Sequence, residues 1–348
     1  MKRALLMSLI LITTLLAFNL KELWVTELCN EWPSKIVLSE NDVVGVACGS
    51  CFYMLDSDGN LIMRKCVAGY VDDISYSNGT FAVLSAGNVL LYNEDGVLIQ
   101  KLNLGWQFSG GIYLHNNTII ACGSKCGKFD LDGNADWETN IDGYVISVSA
   151  SNDYVYAINI EKDRLEILSL KDGSIVSEIS SHDDFYEVDS CNNLVAVIGS
   201  SGMYVYKVGD NGRARKVGEI EGFVNDAAFS PNCKYIAVAS PSSLELFLPN
   251  GDMVYSKSSF TISSIKYISS ITNVDWKNDK MALSLSSYSD DQEKYYVGLY
   301  SLKGVDDNSG NANSLGSLKD LLKKLHIPMV PLLAPPLLSI LRKRSTRA

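Results

Sequence analysis

Short segments in which apolar and polar residues alternate run through most of the chain, and the pattern repeats about every forty residues. Alternation with period two is typical of a β-strand, and Asn-Gly or Asn-Asp pairs accept the positive φ of tight hairpin turns. Each unit is therefore predicted to open with strand, turn, strand. The asparagines of these first turns, spaced 36 to 46 residues apart, are Asn41, Asn78, Asn116, Asn152, Asn192, Asn232 and Asn278.

A second turn lies near the end of each unit, between an apolar or aromatic strand and a more polar one. Four strands per unit, with the polar strand outermost, and a period of about 40–45 residues are typical of a β-propeller blade. The second turns are Asp58-Gly59, Asp95-Gly96, Asp132-Gly133, Asp172-Gly173, Asp210-Asn-Gly212, Asn250-Gly251 and, weakly, Lys303-Gly304.

Seven first turns are followed by only six clear last strands, so one outer strand is missing from the count. The segment Leu23–Leu28 precedes the first unit and has the pattern of a strand. We expect it to complete blade seven, whose other strands come from about residues 262–303. Such closure removes the exposed edges that an open sheet would leave.

The units resemble the WD-repeat and quinoprotein-like propeller families. The closest match is Phe223–Ser240, in the sixth unit, which looks like the first two strands of a WD repeat, although the terminal Trp-Asp pair is absent from every unit. The resemblance implies an all-β, seven-bladed propeller over residues 20–304 and says little about function. The eight tryptophan-docked blades and adjacent cysteines expected of a quinone-cofactor dehydrogenase are missing, so no cofactor is predicted.

The N-terminal residues 1–19 begin Met-Lys-Arg and continue with about fifteen apolar residues, as in a secretory signal. The run is short for a membrane span, which needs about 20 residues. An uncleaved anchor or a buried first helix is the alternative interpretation.

At the other end, residues 305–316 read as a polar linker and residues 317–348 as an amphipathic helix followed by an apolar run and Arg342-Lys343-Arg344. An apolar segment with a basic cap is typical of a C-terminal membrane anchor whose tail stays in the cytoplasm. Four prolines weaken that interpretation, and a tail that folds onto the body or lies in the membrane interface is the alternative.

The chain carries 30 basic and 40 acidic residues, a net charge of −10, and nine of the basic residues lie near the two ends. Residues 20–310 therefore carry 21 − 39 = −18. Nucleic acid is not a predicted partner, because phosphate binding needs a basic surface. Three histidines in the whole chain disfavour most histidine-based metal and proton-transfer chemistry.

Eight cysteines in an exported chain predict disulfides. Cys48 and Cys51, and likewise Cys122 and Cys126, flank a tight turn, where two strands are close enough for a cross-turn bond. Free thiols and a zinc site are the alternatives, although two pairs in blades one and three are too far apart to share one ion. Four cysteines remain. Cys191 and Cys233, on equivalent turns of neighbouring blades, could pair, whereas Cys29 and Cys66 are expected to be too distant from each other.

Aromatic and acidic residues recur in the loops that enter each blade. Because these loops ring one face of a propeller, near its channel, they predict a concave binding surface for a sugar, peptide or cation. The alternative is structural: aromatics packed between blades and acids bonded to backbone donors. The candidate ligand residues are Tyr70, Asp72, Asp73, Trp106, Tyr144, Asp183, Asp184, Phe223 and Asp226; Trp32, Phe108, Phe185, Tyr186 and Glu187 occupy similar places.

Asn78-Gly-Thr80 and Asn116-Asn-Thr118 are glycosylation sequons on first turns. No catalytic triad, phosphate loop or metal motif is found, so no catalytic residue and no metal site is predicted. The sequence favours a binding propeller on the outer side of a membrane, tethered by its tail, that recognises a protein or glycan. The alternatives are an envelope glycosidase or lyase with acids at the mouth, and a cytoplasmic WD-repeat-like scaffold.

Overall fold

The computed structural model describes residues 18–258, 260, 268–289 and 292–303. Within these residues, 28 strands form seven four-stranded antiparallel sheets. The predicted seven-bladed, all-β propeller is confirmed. Among the described residues, helical structure is limited to a single 3-10 turn at Trp106–Phe108.

The strands run from the innermost to the outermost in each blade, and the bounds follow the order of the chain. Blade 1 contains β2 (Pro33–Leu38), β3 (Val44–Cys48), β4 (Cys51–Leu55) and β5 (Leu61–Cys66); blade 2 contains β6 (Asp73–Ser77), β7 (Thr80–Ser85), β8 (Asn88–Asn93) and β9 (Leu98–Asn103). Blade 3 contains β10 (Gly111–His115), β11 (Thr118–Cys122), β12 (Lys125–Asp130) and β13 (Ala135–Asn140); blade 4 contains β14 (Val145–Ala150), β15 (Tyr154–Asn159), β16 (Arg164–Ser169) and β17 (Ile175–Ser180). Blade 5 contains β18 (Phe185–Cys191), β19 (Leu194–Gly199), β20 (Gly202–Val208) and β21 (Ala214–Glu221); blade 6 contains β22 (Asp226–Phe229), β23 (Ile236–Ala239), β24 (Leu244–Phe247) and β25 (Met253–Lys257). Blade 7 contains β26 (Ser270–Lys277), β27 (Lys280–Ser289), β28 (Gln292–Lys303) and, outermost, β1 (Asn19–Cys29).

The ring closes through β1, which pairs with β28 in antiparallel register and places Trp24 opposite Leu299. The predicted closure by an N-terminal strand is confirmed, and the strand is longer than the segment Leu23–Leu28 that the sequence indicated. The last blade thus combines three strands from one end of the propeller sequence with one strand from the other end.

The antiparallel order puts two kinds of connection at each end of the blades. The loops between blades and the turns between the second and third strands share one end, which we call the entry face. The first and second asparagine- and glycine-containing turns share the other end, the turn face. Asn78 and Asn116 of the two sequons are exposed on the turn face, with φ of 49° and 54°.

The core lies between neighbouring blades. Between blades 1 and 2, the centroid of the Phe52 ring lies about 6 Å from those of the Phe81 and Tyr92 rings. Gly45 allows this close approach, because a Cβ there would lie 2.9 Å from the Phe81 ring. Burying one such aromatic side chain stabilises the fold by about 2–3 kcal/mol, and an equivalent apolar layer follows between each pair of blades.

All eight cysteines form disulfides. The predicted Cys122–Cys126 bond is present, and its residues lie directly opposite each other in β11 and β12. Cys191 pairs with Cys233 and joins blades 5 and 6.

The predicted Cys48–Cys51 bond is wrong. These two cysteines do lie opposite each other in the β3–β4 hairpin, but each bonds to a residue outside it. Cys48 pairs with Cys29 at the end of β1, in the neighbouring blade. Cys51 pairs with Cys66, its direct partner in the β4–β5 ladder.

The predicted leader is described only at its end, since β1 begins at Asn19. The linker 305–316 and the tail 317–348 lie outside the described residues, so both remain predictions. In the part of the chain that the structure describes, no helix is long and apolar enough to cross a membrane.

Candidate functional site

The entry face exposes large aromatic side chains on several blades. Tyr70, Trp106 and Phe223 are 73%, 72% and 63% exposed, although each is flanked by ordered strands. Trp32, at the entrance of blade 1, is about half exposed and touches the ring of Tyr295 edge-on. These four residues come from the loops before blades 1, 2, 3 and 6, as the sequence predicted.

One exposed aromatic of this face was not predicted. Tyr288 is 64% exposed near the end of β27, where the long hairpin of blade 7 reaches the entry face. No feature of the sequence pointed to it, because a tyrosine inside an alternating strand is equally typical of a core position.

The other predicted aromatics serve the packing. Phe108 and Phe185 are buried, and Phe108 packs edge-on against Phe129 with ring centroids 5.1 Å apart. The Tyr186 hydroxyl donates to the Val224 carbonyl of the next blade. Tyr144 is half-buried and shares a 3.0 Å hydrogen bond with the Ser109 hydroxyl. The structural interpretation holds for these side chains.

The entry-face acids also divide into residues that form hydrogen bonds within the fold and residues that are exposed. Asp183 is buried and accepts hydrogen bonds from Ser201 and Tyr204, the latter at 2.9 Å. Burial alone would raise the pKa of Asp183, but these bonds and one from Ser200 outweigh it and lower the pKa. Asp72 accepts the amide of Ala86 at 2.6 Å.

Asp184 remains available to a ligand. It is exposed, and its carboxylate makes no hydrogen bond or ion pair with any residue that the structure describes. In the described loops and turns of the entry face, seven acids accompany one lysine, Lys162, which itself pairs with Asp142 at 3.1 Å. The other acids are Glu31, Asp72, Glu161, Asp163, Asp183 and Asp184.

The central channel carries a second group of charges on the inner strands. Its entry-side ring contains Lys35, Asp73, Glu187 and Asp226, and Lys35 forms an ion pair with Glu187. Two residues further along the strands, Asp189 and Asp275 face the channel. The cavity on the turn-face side has a volume of about 470 Å³.

Most of the channel carboxylates connect one blade to the next. Asp73 accepts the amide of Ile112 at 2.8 Å, and Asp226 accepts the amide of Val274 at 2.9 Å. Each also accepts the amide that follows it in its own strand. Asp189 and Asp275 repeat this arrangement between blades 5 and 6 and between blades 7 and 1. Their oxygens therefore stabilise the ring, because they satisfy amides that would otherwise be buried without partners.

Burial changes the protonation of this cluster. Desolvation raises the pKa of Asp73 from 3.8 to about 7, despite the opposing charge of Lys35, and raises that of Asp189 to about 6. It raises the pKa of Asp226 as well. Burial alone would lower the pKa of Lys35, but the neighbouring carboxylates outweigh it and raise the pKa well above 10.5. No group of His, Cys, Asp and Glu in the described ranges has the geometry of a metal site.

Solved structures with the same architecture are distant in sequence. The β-propeller domain of Myceliophteria thermophila Cps50 (Swd1) is 11% identical, with a TM-score of 0.62 over 82% of this chain and 99% of that one. The WD40 propeller domain of Doa1 is 10% identical, with a TM-score of 0.62 over 81% and 97%. A chain of the mitotic checkpoint complex is 13% identical, with a TM-score of 0.64 over 81% and 93%.

No protein family model matches the chain, and no curated protein matches it in sequence. At 10–13% identity, these similarities establish a WD40-type propeller fold and leave the function to the site.

Proposed function

We propose that this protein is an exported binding propeller, tethered by its C-terminal tail, that docks a protein partner on its entry face. The observation that carries the proposal is the set of exposed aromatics on this face: Trp32, Tyr70, Trp106, Phe223 and Tyr288. Solvated tryptophan, tyrosine and phenylalanine at loop tips add nothing to the core, whereas such side chains dominate the binding energy of protein interfaces.

Charge indicates the kind of partner. Seven acids and one already paired lysine surround the aromatics in the described loops. An acidic surface attracts a partner with a basic patch and repels nucleic acid and acidic proteins. Aromatic side chains also stack on sugars, but a neutral glycan would not use the acids. We therefore favour a basic protein surface over a glycan.

The cysteines support export. Disulfides persist in oxidising compartments and are rare in reducing ones, and all eight cysteines of this chain are paired. The signal-like residues 1–19 and the two exposed sequons point the same way.

Entry-face binding is tested with cross-linking of the intact protein in its native membrane. The double variant Trp106→Ala, Phe223→Ala is compared with Ile175→Ala, Met253→Ala, which removes two exposed apolar side chains from outer strands. We expect the first pair to lose a cross-linked protein that the wild type and the second pair retain. Equal yields from all three proteins, or a cross-linked partner without basic residues at the contact, would contradict the proposal. If the wild type binds a glycan array and the Trp106→Ala, Phe223→Ala variant does not, the entry face is a sugar-binding surface.

Export is tested separately by intact-mass measurement of the native protein. We expect a mass reduced by cleavage near Ala17, the loss of eight hydrogens to four disulfides, and glycan additions if the producing cell glycosylates. A mass equal to the full chain with eight free thiols would refute export and favour the cytoplasmic scaffold.

A glycosidase or lyase is the second candidate, and the channel favours it. Glycoside hydrolysis uses one protonated and one ionised carboxyl group, and Asp73, with a pKa of about 7, lies near Glu187, which is paired with Lys35. Both Asp73 oxygens already accept hydrogen bonds from backbone amides, which opposes this role. Hydrolysis of aryl glycosides that is abolished in Glu187→Gln, while Asp153→Asn keeps full activity, would establish the enzyme.

A further inference from the structure

A groove lies between the outer parts of blades 1 and 2, away from the channel, and one end of it reaches the entry-face residues Ala68 and Ala86. Its volume is about 600 Å³. One wall is β5 and the other is β9, each the outermost strand of its sheet. We call it the blade 1–2 groove.

The strand register defines its surfaces. Met63 and Lys65 are opposite Met54 and Phe52, which face blade 2, so both project into the groove from β5. Leu98 and Lys101 are opposite Tyr92 and Leu90, which face blade 1, so both project into it from β9. Leu90 and Tyr92 form its apolar floor.

At one position the wall of the groove differs from the outer strands of two other blades. The position of Met63 is taken by tryptophan in two other blades: Trp24 in blade 7 and Trp137 in blade 3. Each tryptophan lies over a glycine of the next blade, at Gly59 and Gly173.

Each of these tryptophans also donates its indole N–H to the next blade, Trp24 to the Ser57 carbonyl at 2.8 Å and Trp137 to the Leu170 carbonyl at 3.0 Å. Met63 lies in the same way over Gly96. A thioether is smaller than an indole and cannot make this hydrogen bond, so Met63 fills less of the space between the two outer strands than a tryptophan would.

The charge of the groove is opposite to that of the body. Its lining contains Arg64, Lys65 and Lys101 and no acid, although residues 20–310 carry a charge of −18. The Arg64 guanidinium lies over the Tyr53 ring on the other side of β5. Lys65, Lys101 and the Tyr92 hydroxyl make no ion pair or hydrogen bond within the described ranges of the chain. Burial raises the pKa of Tyr92, so its hydroxyl keeps its proton and can donate.

We propose that the blade 1–2 groove binds an extended peptide segment of a partner protein, in which an acidic side chain is flanked by apolar ones. The carboxylate would accept from Lys65, Lys101 and the Tyr92 hydroxyl, and the apolar side chains would cover Met63 and Leu98. An extended chain fits because both walls are strands with a free edge, to which a further strand can pair. Because the groove is basic and the rest of the body is acidic, an acidic segment is attracted to the groove, whereas the basic partner proposed for the entry face is not.

The test selects short random peptides displayed on phage against the intact protein and measures the best peptide, fluorescently labelled, by anisotropy. Met63→Trp should fill the groove as Trp24 and Trp137 do, with no loss of melting temperature. We expect it to weaken binding about tenfold or more. Lys65→Glu, Lys101→Glu should weaken binding by a similar factor, about tenfold, because two attractions become repulsions.

The matched control is Lys171→Glu, Lys207→Glu, which makes the same charge change on exposed lysines of blades 4 and 5 and should bind as the wild type does. Selected peptides without an acidic residue, unchanged binding in Met63→Trp, or no selected peptide would each overturn the proposal. So would a dimer that dissociates in Met63→Trp, because a second copy would then be the occupant. The entry-face pair Trp106→Ala, Phe223→Ala should leave peptide binding unchanged, so this proposal and the proposed function fail independently.

Discussion

The buried carboxylates of the channel predict that the propeller loses stability as the pH rises from 5 to 7. Asp73 has a folded-state pKa of about 7, against 3.8 for an unperturbed carboxyl, mainly because burial penalises its charged form. Between these two values the folded protein holds a proton that the unfolded chain has released. The unfolded state then binds fewer protons, so the free energy of unfolding falls as the pH rises. Below pH 3.8 and above the folded pKa, Asp73 contributes no further slope.

The size of the effect follows from the shift. One pKa unit corresponds to about 1.4 kcal/mol, so a shift of about 3 units gives about 4 kcal/mol over the whole window, of which about 2 kcal/mol falls between pH 5 and 7. The pKa values of Asp56, Asp130, Asp172 and Asp183 are lowered, so these groups gain their stability below this range. His115, whose pKa is lowered by burial, contributes a slope of opposite sign.

The assay is urea denaturation at pH 5, 6, 7 and 8, followed by tryptophan fluorescence, for the wild type and Asp73→Asn. An amide oxygen can accept only one of the two amide N–H groups that Asp73 now accepts, so the lost hydrogen bond itself costs the variant about 1–2 kcal/mol, independent of pH. Its slope between pH 5 and 7 should nevertheless be shallower, and the contribution of His115 cancels in the comparison. Asp153→Asn, in an exposed turn, is the control and should keep the wild-type slope. If Asp73→Asn also keeps that slope, the argument from charge burial is wrong.

Three further predictions test the fold and the export of the protein. Replacing Cys29 and Cys48 with alanine opens a loop of 19 residues and should lower the free energy of unfolding by about 3 kcal/mol in the chain-entropy estimate. The wild type reduced with dithiothreitol is the reference, and it should be less stable than this variant because all four disulfides are broken. Phe81→Ala creates a cavity at a fully buried ring and should cost about 3–5 kcal/mol; a loss below about 1 kcal/mol in the same titration would show that the blade 1–2 layer is loosely packed. In a glycosylating host, Asn78→Gln and Asn116→Gln should each reduce the mass of the secreted protein by one glycan, and an unchanged mass would show an unused sequon.

The repeat was predictable from sequence because each blade states its turns locally. Asn78 and Asn116 adopt the positive φ that their turns require. Each lies in the turn between two strands of alternating apolar residues. Closure by β1 followed from counting strands, since a ring with one strand missing has a single place for another. These inferences need only neighbours in the chain or the number of units.

The disulfide partners and the groove depend on contacts between distant segments. Cys48 and Cys51 are close in sequence and opposite in register, yet β1 and β5 bring Cys29 and Cys66 alongside them. Likewise, Met63 is one apolar residue in a polar outer strand, and only comparison with Trp24 and Trp137 in the aligned blades shows that a larger side chain fits at its position. The division of the predicted aromatics into exposed Trp106 and buried Phe108 was equally hidden, because both occur in one short loop.

The N-terminal strand limits how this protein can be processed. The Cys29–Cys48 bond ties β1 to blade 1, to which residues 30–32 already connect it. Closure of the ring, in contrast, depends on the hydrogen-bonded ladder between β1 and β28, which no disulfide reinforces. Removal of residues 19–29 would expose the edge of β28 together with the buried side chains of Val297 and Leu299, and an exposed apolar edge promotes aggregation. Because β1 begins at Asn19, cleavage near Ala17 would leave the closing strand whole, whereas cleavage after Cys29 would remove it and open the propeller.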